Sequence, residues 1–392
     1  MLASMKLRTK MLLFICGVAF LSFSATIVII SGISTKNAEK DAFRLVMETA
    51  NKSSTEVRSE IDKAVIAANT LSEMLSAIDS SEHTVSRAMV VDMLHSVAVI
   101  HNDFFGVWAV WEPNTFDGRD SSMDVNQPGT AENGQFRPNL QRYSGKLVKS
   151  KTGMPAEGSK GSEWYWTPLR TGKPFITKPT AYEVNGVPIM MISATSPIIV
   201  NGKTVGVAGI DYGMDKMKEI ISLIKPFDTG FGILNFSDGS VVTHPDEKAI
   251  GKKLISSKAL QATNSLQSYQ EILQTKDFNG DALSVSVPVK FGEDLDIWNL
   301  TIRVSMDKVL AAANALRTTN IIIGIVSLLV LFVVVYFIST LIIARPINLA
   351  IAGLRDIAEG EGAAIPDAAG NLVIALKMDL AFVNPYKKYG EN

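Results

Sequence analysis

Two long apolar segments limit what this chain can fold into. The first runs from Met11 to about Ile33 and the second from Ile321 to about Ile343, and neither contains a charged residue. Each is roughly 23 residues long, and a helix of that length crosses a hydrocarbon core of about 30 Å. Residues 34–320, between them, are polar, aromatic and mixed in charge. The sequence therefore predicts transmembrane helices at 11–33 and 321–343 that flank a folded, water-soluble domain.

Basic residues near these segments predict how the chain crosses the membrane. Four of them lie beside the apolar runs: Lys6, Arg8, Lys10 and Arg345. Since basic residues concentrate on the cytoplasmic side, we expect residues 1–10 and 344–392 in the cytoplasm and residues 34–318 outside it. This is the topology of a two-pass protein of the bacterial inner membrane with a periplasmic or extracellular domain. A cleaved signal peptide is the alternative, but its apolar core is usually only about 7–15 residues long, so we expect an uncleaved anchor.

Composition argues against several classes of protein. The one cysteine, Cys16, lies inside the first apolar segment, so no disulfide is expected in the external domain. A net charge of −1 argues against a nucleic-acid partner. The sequence contains no His-Glu-x-x-His, Gly-x-Ser-x-Gly or Walker motif, and we predict no catalytic residue, metal site or cofactor. Asp117, Asp120 and Asp124 lie in a Gly/Ser/Asn-rich segment without EF-hand spacing, so we predict solvated loop residues there.

Residues 34–78 have a helical pattern. Apolar side chains recur at three- and four-residue steps, and neither proline nor glycine occurs from Thr35 to Ile78. We expect a long helix that continues the first membrane helix outward as a stalk. It is expected both to pack on its own domain and to contribute to a homodimer.

Beyond this stalk, a similar order of elements occurs twice. A helix at 85–98 and a strand at 105–111 precede a loop-like stretch from Glu112 to Gly161. Asn201-Gly202 separates two strand-like runs and is a strong hairpin signal. Further strands are predicted at 189–192, 196–200, 205–210, 230–236, 241–243, 283–289 and 298–304. We predict an α+β fold of two tandem modules, each an antiparallel sheet flanked by helices. The membrane-distal module is placed at about 80–215 and the membrane-proximal module at about 228–310.

Several phrases of the sequence resemble the double Cache sensors of bacterial methyl-accepting chemotaxis proteins. They are Trp108–Asp120 (WAVWEPNTFDGRD), Ser162–Gly172 (SEWYWTPLRTG), Pro179–Gly186 (PTAYEVNG), Ser193–Ile198 and Gly206–Asp215 (GVAGIDYGMD). Arg345-Pro346-Ile347 with Ala358-Glu359-Gly360 resembles the first helix of a HAMP linker, whereas residues 363–392 do not match its second helix. The resemblance implies two PAS-like sheet modules with a ligand site in the membrane-distal one.

The resemblance also implies site residues. In amino-acid-binding members, an Arg-x-Trp-Tyr phrase holds the ligand carboxylate and a late aspartate holds its amine. Here Trp164 and Tyr165 match the aromatic pair and Asp211 matches the aspartate, but Ser162 stands at the arginine position. Tyr182 stands where an acidic residue is usual. The following residues are candidates for a replacement cation: Arg137, Arg142 and Arg170.

The residue types favour an organic cation as the ligand. Aromatic faces attract a cation by roughly 0.5–2 kcal/mol each, and a buried carboxylate supplies the charge partner. The candidate ligand-binding residues are Trp108, Trp111, Trp164, Tyr165, Tyr182 and Asp211. Trp108 and Trp164 are expected on strands, where alternation turns them toward the pocket. The alternatives are core packing for the tryptophans and a strand-end cap for Asp211; Trp298 is expected in the core.

Together these observations predict a chemoreceptor sensory module. It binds a small amine, quaternary amine or amino acid in the distal module and signals through the second membrane helix to a HAMP segment. The chemotaxis kinase and coupling protein are partners only if an output domain exists. The alternatives are the sensor half of a histidine kinase or diguanylate cyclase, and a membrane-anchored interaction protein without a small ligand.

Overall fold

The computed structural model describes residues 7–79, 85–184, 187–292, 295–358, 364–366 and 372–374. The chain forms two compact units. Residues 39–310 form the first, which contains both sheet modules, and residues 1–38 with 311–392 form the second.

One helix, α1 (Leu7–Asp79), includes both the first apolar segment and the predicted stalk without a break. Its stalk part buries one stripe of side chains, which recur at three- and four-residue steps as a helix with one apolar face requires. The stripe consists of Ala42, Val46, Ala50, Val57, Ile61, Ala64, Ala68, Leu71 and Leu75. The prediction of a long amphipathic helix that packs on its own domain is confirmed.

The distal module is an antiparallel sheet with two short helices. Its elements are α2 (Arg87–Ile100), β1 (Phe104–Trp111), β2 (Pro138–Tyr143), β3 (Lys146–Lys151), α3 (Glu163–Thr171), β4 (Phe175–Ile176), β5 (Thr180–Val184), β6 (Val187–Val200) and β7 (Lys203–Gly213). The strand order is β3-β2-β1-β7-β6-β4, and β5 also pairs with β6. The predicted hairpin between β6 and β7 is confirmed, since Asn201 and Gly202 both have positive φ, as this tight turn needs.

Three local predictions for this module were wrong. The stretch Glu112–Gly161 contains the hairpin β2–β3, whose strands are too polar for an apolar alternation to be recognised. Two predicted strands are one continuous strand, β6. Trp164 was placed on a strand but lies in α3, a nine-residue helix whose aromatic residues favour strands by propensity alone.

The two faces of this sheet have different neighbours. Val107, Ala109 and Trp111 of β1 belong to the large apolar core that α1 and α2 also line. Trp108 and Val110 alternate with them and pack with α3 in a second, smaller cluster. Because successive side chains of a strand point to opposite faces, one face is used for helix packing and the other is available for a site.

The proximal module repeats this plan with five strands. Its elements are α4 (Asp215–Ser222), β8 (Phe231–Asn235), β9 (Val241–Thr243), α5 (Ser257–Asn264), β10 (Tyr269–Thr275), β11 (Gly280–Lys290) and β12 (Ile297–Ser305). The strand order is β10-β11-β12-β8-β9, antiparallel throughout. Trp298 is fully buried between Phe236 and Phe291, in the core as expected.

Helix α6 (Met306–Phe337) follows β12 directly and contains residues 321–337 of the second apolar segment. A π-helical turn at Ile338–Ala344 and helix α7 (Arg345–Ala358) come next. The π turn precedes Pro346, which has no N–H to donate to a helical bond. Both α1 and the helix from Met306 to Arg355 are long and apolar enough to cross a membrane.

The segment that follows the second apolar run is described only in part. Beyond α7 the structure describes two short paired strands, β13 (Ala364–Pro366) and β14 (Leu372–Ile374). Glu359-Gly360 of the HAMP-like phrase and most of residues 363–392 lie outside the described residues.

An ion cluster beneath α2 corrects a prediction for the aspartates. Asp120 is buried and Asp117 is 22 % exposed. Arg87, 4 % exposed, donates to Asp117 at 2.8 and 2.9 Å and to Asp120 at 2.7 Å. Asp124 is exposed, as predicted. Arg87 also donates to Gly134 O and stacks on Phe136. Burial opposes ionisation of Asp117, but the bonds from Arg87 still hold its pKa below the usual range. This cluster fixes the long β1–β2 connection against α2.

We expect Arg87→Met to destabilise the external domain by roughly 3–5 kcal/mol, because removal of one partner leaves buried carboxylates uncompensated. Urea unfolding of the full chain, followed by fluorescence, measures this loss, since all five tryptophans lie in the external domain. Arg44→Met is the control: Arg44 pairs with Asp41 on the exposed face of α1 and should cost less than about 1 kcal/mol. Equal losses for the two variants would contradict the prediction.

Candidate ligand-binding site

A cleft of about 580 Å³ opens on the face of the distal sheet that α1 does not cover. Strands β1, β2, β3, β5, β6 and β7 and helix α3 all contribute side chains to it. Small-molecule sites usually have volumes of about 300–1,000 Å³, so the cleft has the size of a metabolite site. It brings together four of the six predicted residues: Trp108, Trp164, Tyr182 and Asp211.

The register of three strands positions the acidic group. Asp211 of β7 is paired with Gly106 of β1 on one side and with Ser193 of β6 on the other. Paired residues of antiparallel strands present their side chains on the same face. Gly106 has no side chain, and a Cβ there would lie 2.6 Å from Asp211 Oδ2. The glycine therefore leaves room for the carboxylate to lean over β1.

Asp211 is a buried carboxylate with one oxygen held. Trp108 Nε1 donates to Oδ1 at 3.0 Å and Ser193 Oγ donates to the same oxygen at 2.7 Å. Among the described residues, no donor reaches Oδ2. Burial raises the pKa of Asp211, and the two bonds only partly oppose that shift. A cation at Oδ2 would supply the missing stabilisation of the charged form.

Two indole rings form an aromatic corner beside this carboxylate. Trp108 and Trp164 meet edge to face, with ring centroids 4.8 Å apart. Trp108 lies across Gly209 of β7, where a Cβ would be 2.2 Å from the indole ring. Because Gly209 is also the strand partner of Trp108, the pairing of a tryptophan with a glycine lets the ring lie flat on the sheet.

Tyr182 closes another side of the cleft. Burial, followed by the nearby charges of Asp211 and Glu163, raises the pKa of Tyr182 to about 12. The phenol therefore stays neutral and presents a ring and a hydroxyl to the cleft. It does not replace the negative charge that the resemblance places at this position.

Two predicted ligand contacts require correction. Trp111 lies on the opposite face of β1, three residues from Trp108, and stacks on Phe136 in the core. Tyr165 is fully buried behind Trp164, and its hydroxyl donates to Glu112. Neither lines the cleft, because alternation along β1 and the turn of α3 direct them away.

The three candidate arginines do not lie in the cleft either. Arg142 donates to Ala98 O, Arg170 pairs with Glu157, and Arg137 is half-buried elsewhere. Among the described residues that line the cleft, Lys151 is the single cation, and its Nζ donates to Val125 O at 3.1 Å. The cleft therefore has an anionic, aromatic end without a basic carboxylate clamp.

Sequence reasoning missed the polar wall that β2 and β3 provide. Asn139, Gln141, Tyr143 and Ser150 line the cleft, but they come from the stretch that was predicted to be a loop. A signal was present in the alternation of Asn139, Gln141 and Tyr143, which a recognised strand would have placed on one face.

The fold is that of the Cache (PDC) domains: a long helix and two tandem antiparallel-sheet modules, with a cleft in the first module. Residues 90–219 match the family model described as methyl-accepting chemotaxis protein-like, first PDC sensor domain. This match covers the first sheet module and assigns that module to the PDC sensor domains.

Individual relatives agree with this assignment. The chemotaxis protein TlpQ of Pseudomonas aeruginosa is 26 % identical over 286 residues, which cover 66 % of this chain and 40 % of that receptor. The solved structure of Methyl-accepting Chemotaxis protein X is 25 % identical, with a TM-score of 0.55, over 67 % of this chain and 98 % of that one. The extracellular domain of the candidate histidine kinase mmHK1S-Z3 is 22 % identical, with a TM-score of 0.59, over 72 % and 99 % of the two chains. At 22 % identity, the similarity to mmHK1S-Z3 shows a shared fold only.

Gly209→Ala is expected to displace the Trp108 ring, since the new methyl group would overlap it. We predict a loss of about 1–3 kcal/mol in the free energy of unfolding, typical of overpacking, together with a shift in tryptophan emission. Gly213→Ala on the same strand is the control, because a Cβ there meets no described atom within 4 Å. An unchanged emission spectrum and stability for Gly209→Ala would contradict the described packing.

The buried carboxylate should also make stability depend on pH. Because the folded pKa of Asp211 is raised above its ordinary 3.8, the folded state holds this proton more tightly than the unfolded state. The wild type should therefore lose stability as pH rises from 3.8 to the raised pKa. Asp211→Asn keeps an acceptor for Ser193 and Trp108 but has no carboxyl group to titrate. As pH rises from 3.8 to the raised pKa, the variant should therefore become more stable relative to the wild type. Unfolding midpoints of both proteins against pH measure the difference, and parallel curves would contradict it.

Proposed function

We propose that this chain is the sensory part of a chemoreceptor that detects a small organic cation, such as an amine, a quaternary amine or an amino acid, outside the cytoplasmic membrane. One observation carries the proposal: the Asp211 carboxylate is buried in an aromatic cleft with one oxygen unbonded. A sensor fits the chain better than an enzyme, since the curated relatives that it matches are methyl-accepting chemotaxis proteins.

The recognition step follows from the charges of the cleft. The ammonium group takes the place beside Asp211 Oδ2, where it offsets the cost of keeping the carboxylate ionised in a buried site. The faces of Trp108, Trp164 and Tyr182 attract the cation and cover its apolar part. A carboxylate on the ligand gains less, because the one cation of the cleft, Lys151, is exposed and already bonded to Val125 O.

The signalling step uses the order of elements along the chain. Bound ligand contacts Asp211 of β7, and Asp211 is hydrogen-bonded to Ser193 of β6. Strand β7 leads directly into α4, the first element of the proximal module. The last strand of that module, β12, ends where α6 begins. A ligand with higher affinity for one closure state shifts the population toward that state, and the shift reaches α6 as a small piston or rotational movement.

The remaining parts of the proposal follow the sequence. The chain crosses the bacterial inner membrane twice, with both termini in the cytoplasm, and works as a homodimer through α1 and the HAMP-like segment. The chain spans 40 % of the length of TlpQ, so coupling to a chemotaxis kinase belongs to the proposal.

A histidine kinase is the second candidate for the output. Its support is the fold shared with the extracellular domain of mmHK1S-Z3, which leaves the output open. The genomic sequence downstream of the codon for Asn392 separates the two: methylation helices encoded there favour chemotaxis, and an ATPase domain favours the kinase.

We expect small amines to raise the unfolding midpoint of the full chain in detergent. A ligand at about 100 times its dissociation constant adds roughly 2.7 kcal/mol. Tetramethylammonium, pentan-1-amine and L-alanine are the test ligands, and succinate is the anionic control. Asp211→Asn should abolish the shift while Asp92→Asn, on the exposed side of α2, should leave it unchanged. A shift with succinate alone would refute the cation site.

A further inference from the structure

The cleft has a second polar end, opposite Asp211, that comes from β2. Gln141 is the strand partner of Gly106, and Gly106 is the strand partner of Asp211. The three residues therefore form one row across three strands, on the same face of the sheet. With a strand spacing of about 4.8 Å, the Cα atoms of Gln141 and Asp211 lie roughly 10 Å apart. The middle residue has no side chain, so no side chain of β1 separates the carboxylate, which leans over Gly106, from the amide of Gln141; this row is called the channel.

Asp211 faces this channel with Oδ2, to which no donor among the described residues is bonded. Ser193 and Trp108 both donate to Oδ1, whereas Oδ2 lies above Gly106. A ligand amine bound at Oδ2 therefore extends across Gly106 toward β2.

The far end of the channel is built from two uncharged amides. Asn139, two residues before Gln141 on the same face of β2, is 7 % exposed and lines the cleft. Within the part of the chain that the structure describes, its Oδ1 is buried without a hydrogen-bond partner. Gln141 Oε1 accepts from Tyr143 at 3.1 Å and from Ser150 at 3.2 Å, which leaves its Nε2 protons for a ligand. This end thus offers one acceptor and one donor.

The chemistry of the two ends defines a ligand class. We propose that the cleft selects amines that carry, about four to five bonds from the ammonium group, an uncharged group that both donates and accepts hydrogen bonds, such as a primary carboxamide. Asn139 Oδ1 accepts from that group and Gln141 Nε2 donates to it. The inference rests on the proposed function, because it takes the ammonium end to be held by Asp211.

Charged far ends fit less well. A second ammonium leaves Gln141 Nε2 without an acceptor and adds a cation to the side of the cleft where Lys151 lies. A carboxylate sets its oxygens against Asn139 Oδ1 and brings a second anion into a cleft that already contains Asp211. An alkyl end leaves both amides without partners in a largely buried place, which is unfavourable.

Four amines with the same chain of six non-hydrogen atoms test the inference: 4-aminobutanamide, pentan-1-amine, 1,4-diaminobutane and 4-aminobutanoate. Titration calorimetry on the full chain in detergent gives their affinities. We expect 4-aminobutanamide to bind at least about tenfold more tightly than pentan-1-amine, as one to two added hydrogen bonds imply. 1,4-Diaminobutane carries two positive charges, and 4-aminobutanoate carries one positive and one negative charge. Both should bind more weakly than 4-aminobutanamide.

Two variants locate the effect. Asn139→Leu and Gln141→Leu should each remove most of the preference for 4-aminobutanamide over pentan-1-amine, measured as the ratio of the two dissociation constants. The same exchange at an exposed site of α1, Asn51→Leu, is the control and should preserve the preference. Tryptophan-detected melting establishes that each variant is folded, and either variant alone suffices for the test.

The outcomes separate this inference from the proposed function. If all four amines bind equally and only Asp211→Asn weakens them, the cation site stands and the amide selection is wrong. If Asn139→Leu weakens all four amines alike, Asn139 has a structural role and the inference is overturned. The tightest binding by 1,4-diaminobutane or 4-aminobutanoate would overturn it as well. If no amine binds, the proposed function fails and this inference fails with it.

Discussion

The alternation of side chains along β7 is the constraint on which the rest of the external domain depends. Ile210 and Tyr212 face the core under α1, and Asp211 between them faces the cleft. On the core face, the Tyr212 hydroxyl donates to Glu60 of α1 at 2.9 Å. On the cleft face, Asp211 takes bonds from its neighbours on β1 and β6. A shift of β7 by one residue would exchange the two faces, bury the carboxylate under α1 and expose the core.

Glycines determine where the ligand site can form on this sheet. Gly106 and Gly209 are positions where any side chain would overlap Asp211 or Trp108. A strand interior normally loses stability with glycine, which packs nothing. Here each glycine leaves a space that a functional side chain from the neighbouring strand occupies. The absence of side chains at Gly106 and Gly209 therefore shapes the candidate site as much as the presence of Asp211 and Trp108 does.

The two modules share a plan but use the polar face of their sheets differently. In the proximal module this face carries Asn235, Asn299 and Thr301, which bond mainly to one another. Arg303 on the same face donates to Asp277 and to Leu254 O, just before α5. Among the described residues, Asn235 Oδ1, Asn299 Nδ2 and Arg303 Nε are nevertheless buried without a partner. The difference between the modules is that the distal sheet places Asp211 and the β2 amides at a cleft of about 580 Å³.

The sequence by itself determined the elements with a strong local signal. The two apolar segments, the long helix and the Asn201-Gly202 hairpin each follow from composition and period within one stretch of chain. Trp108, Trp164, Tyr182 and Asp211 were reached through the resemblance and their residue types. The tertiary structure alone decided which aromatic rings face the cleft, because that depends on the register of strands far apart in sequence. It also turned Trp111 and Tyr165 away from the cleft, paired Arg87 with two predicted loop aspartates, and folded the polar β2–β3 hairpin into the wall of the site. Such pairings rest on cross-strand bonds and burial, which no local pattern of residues encodes.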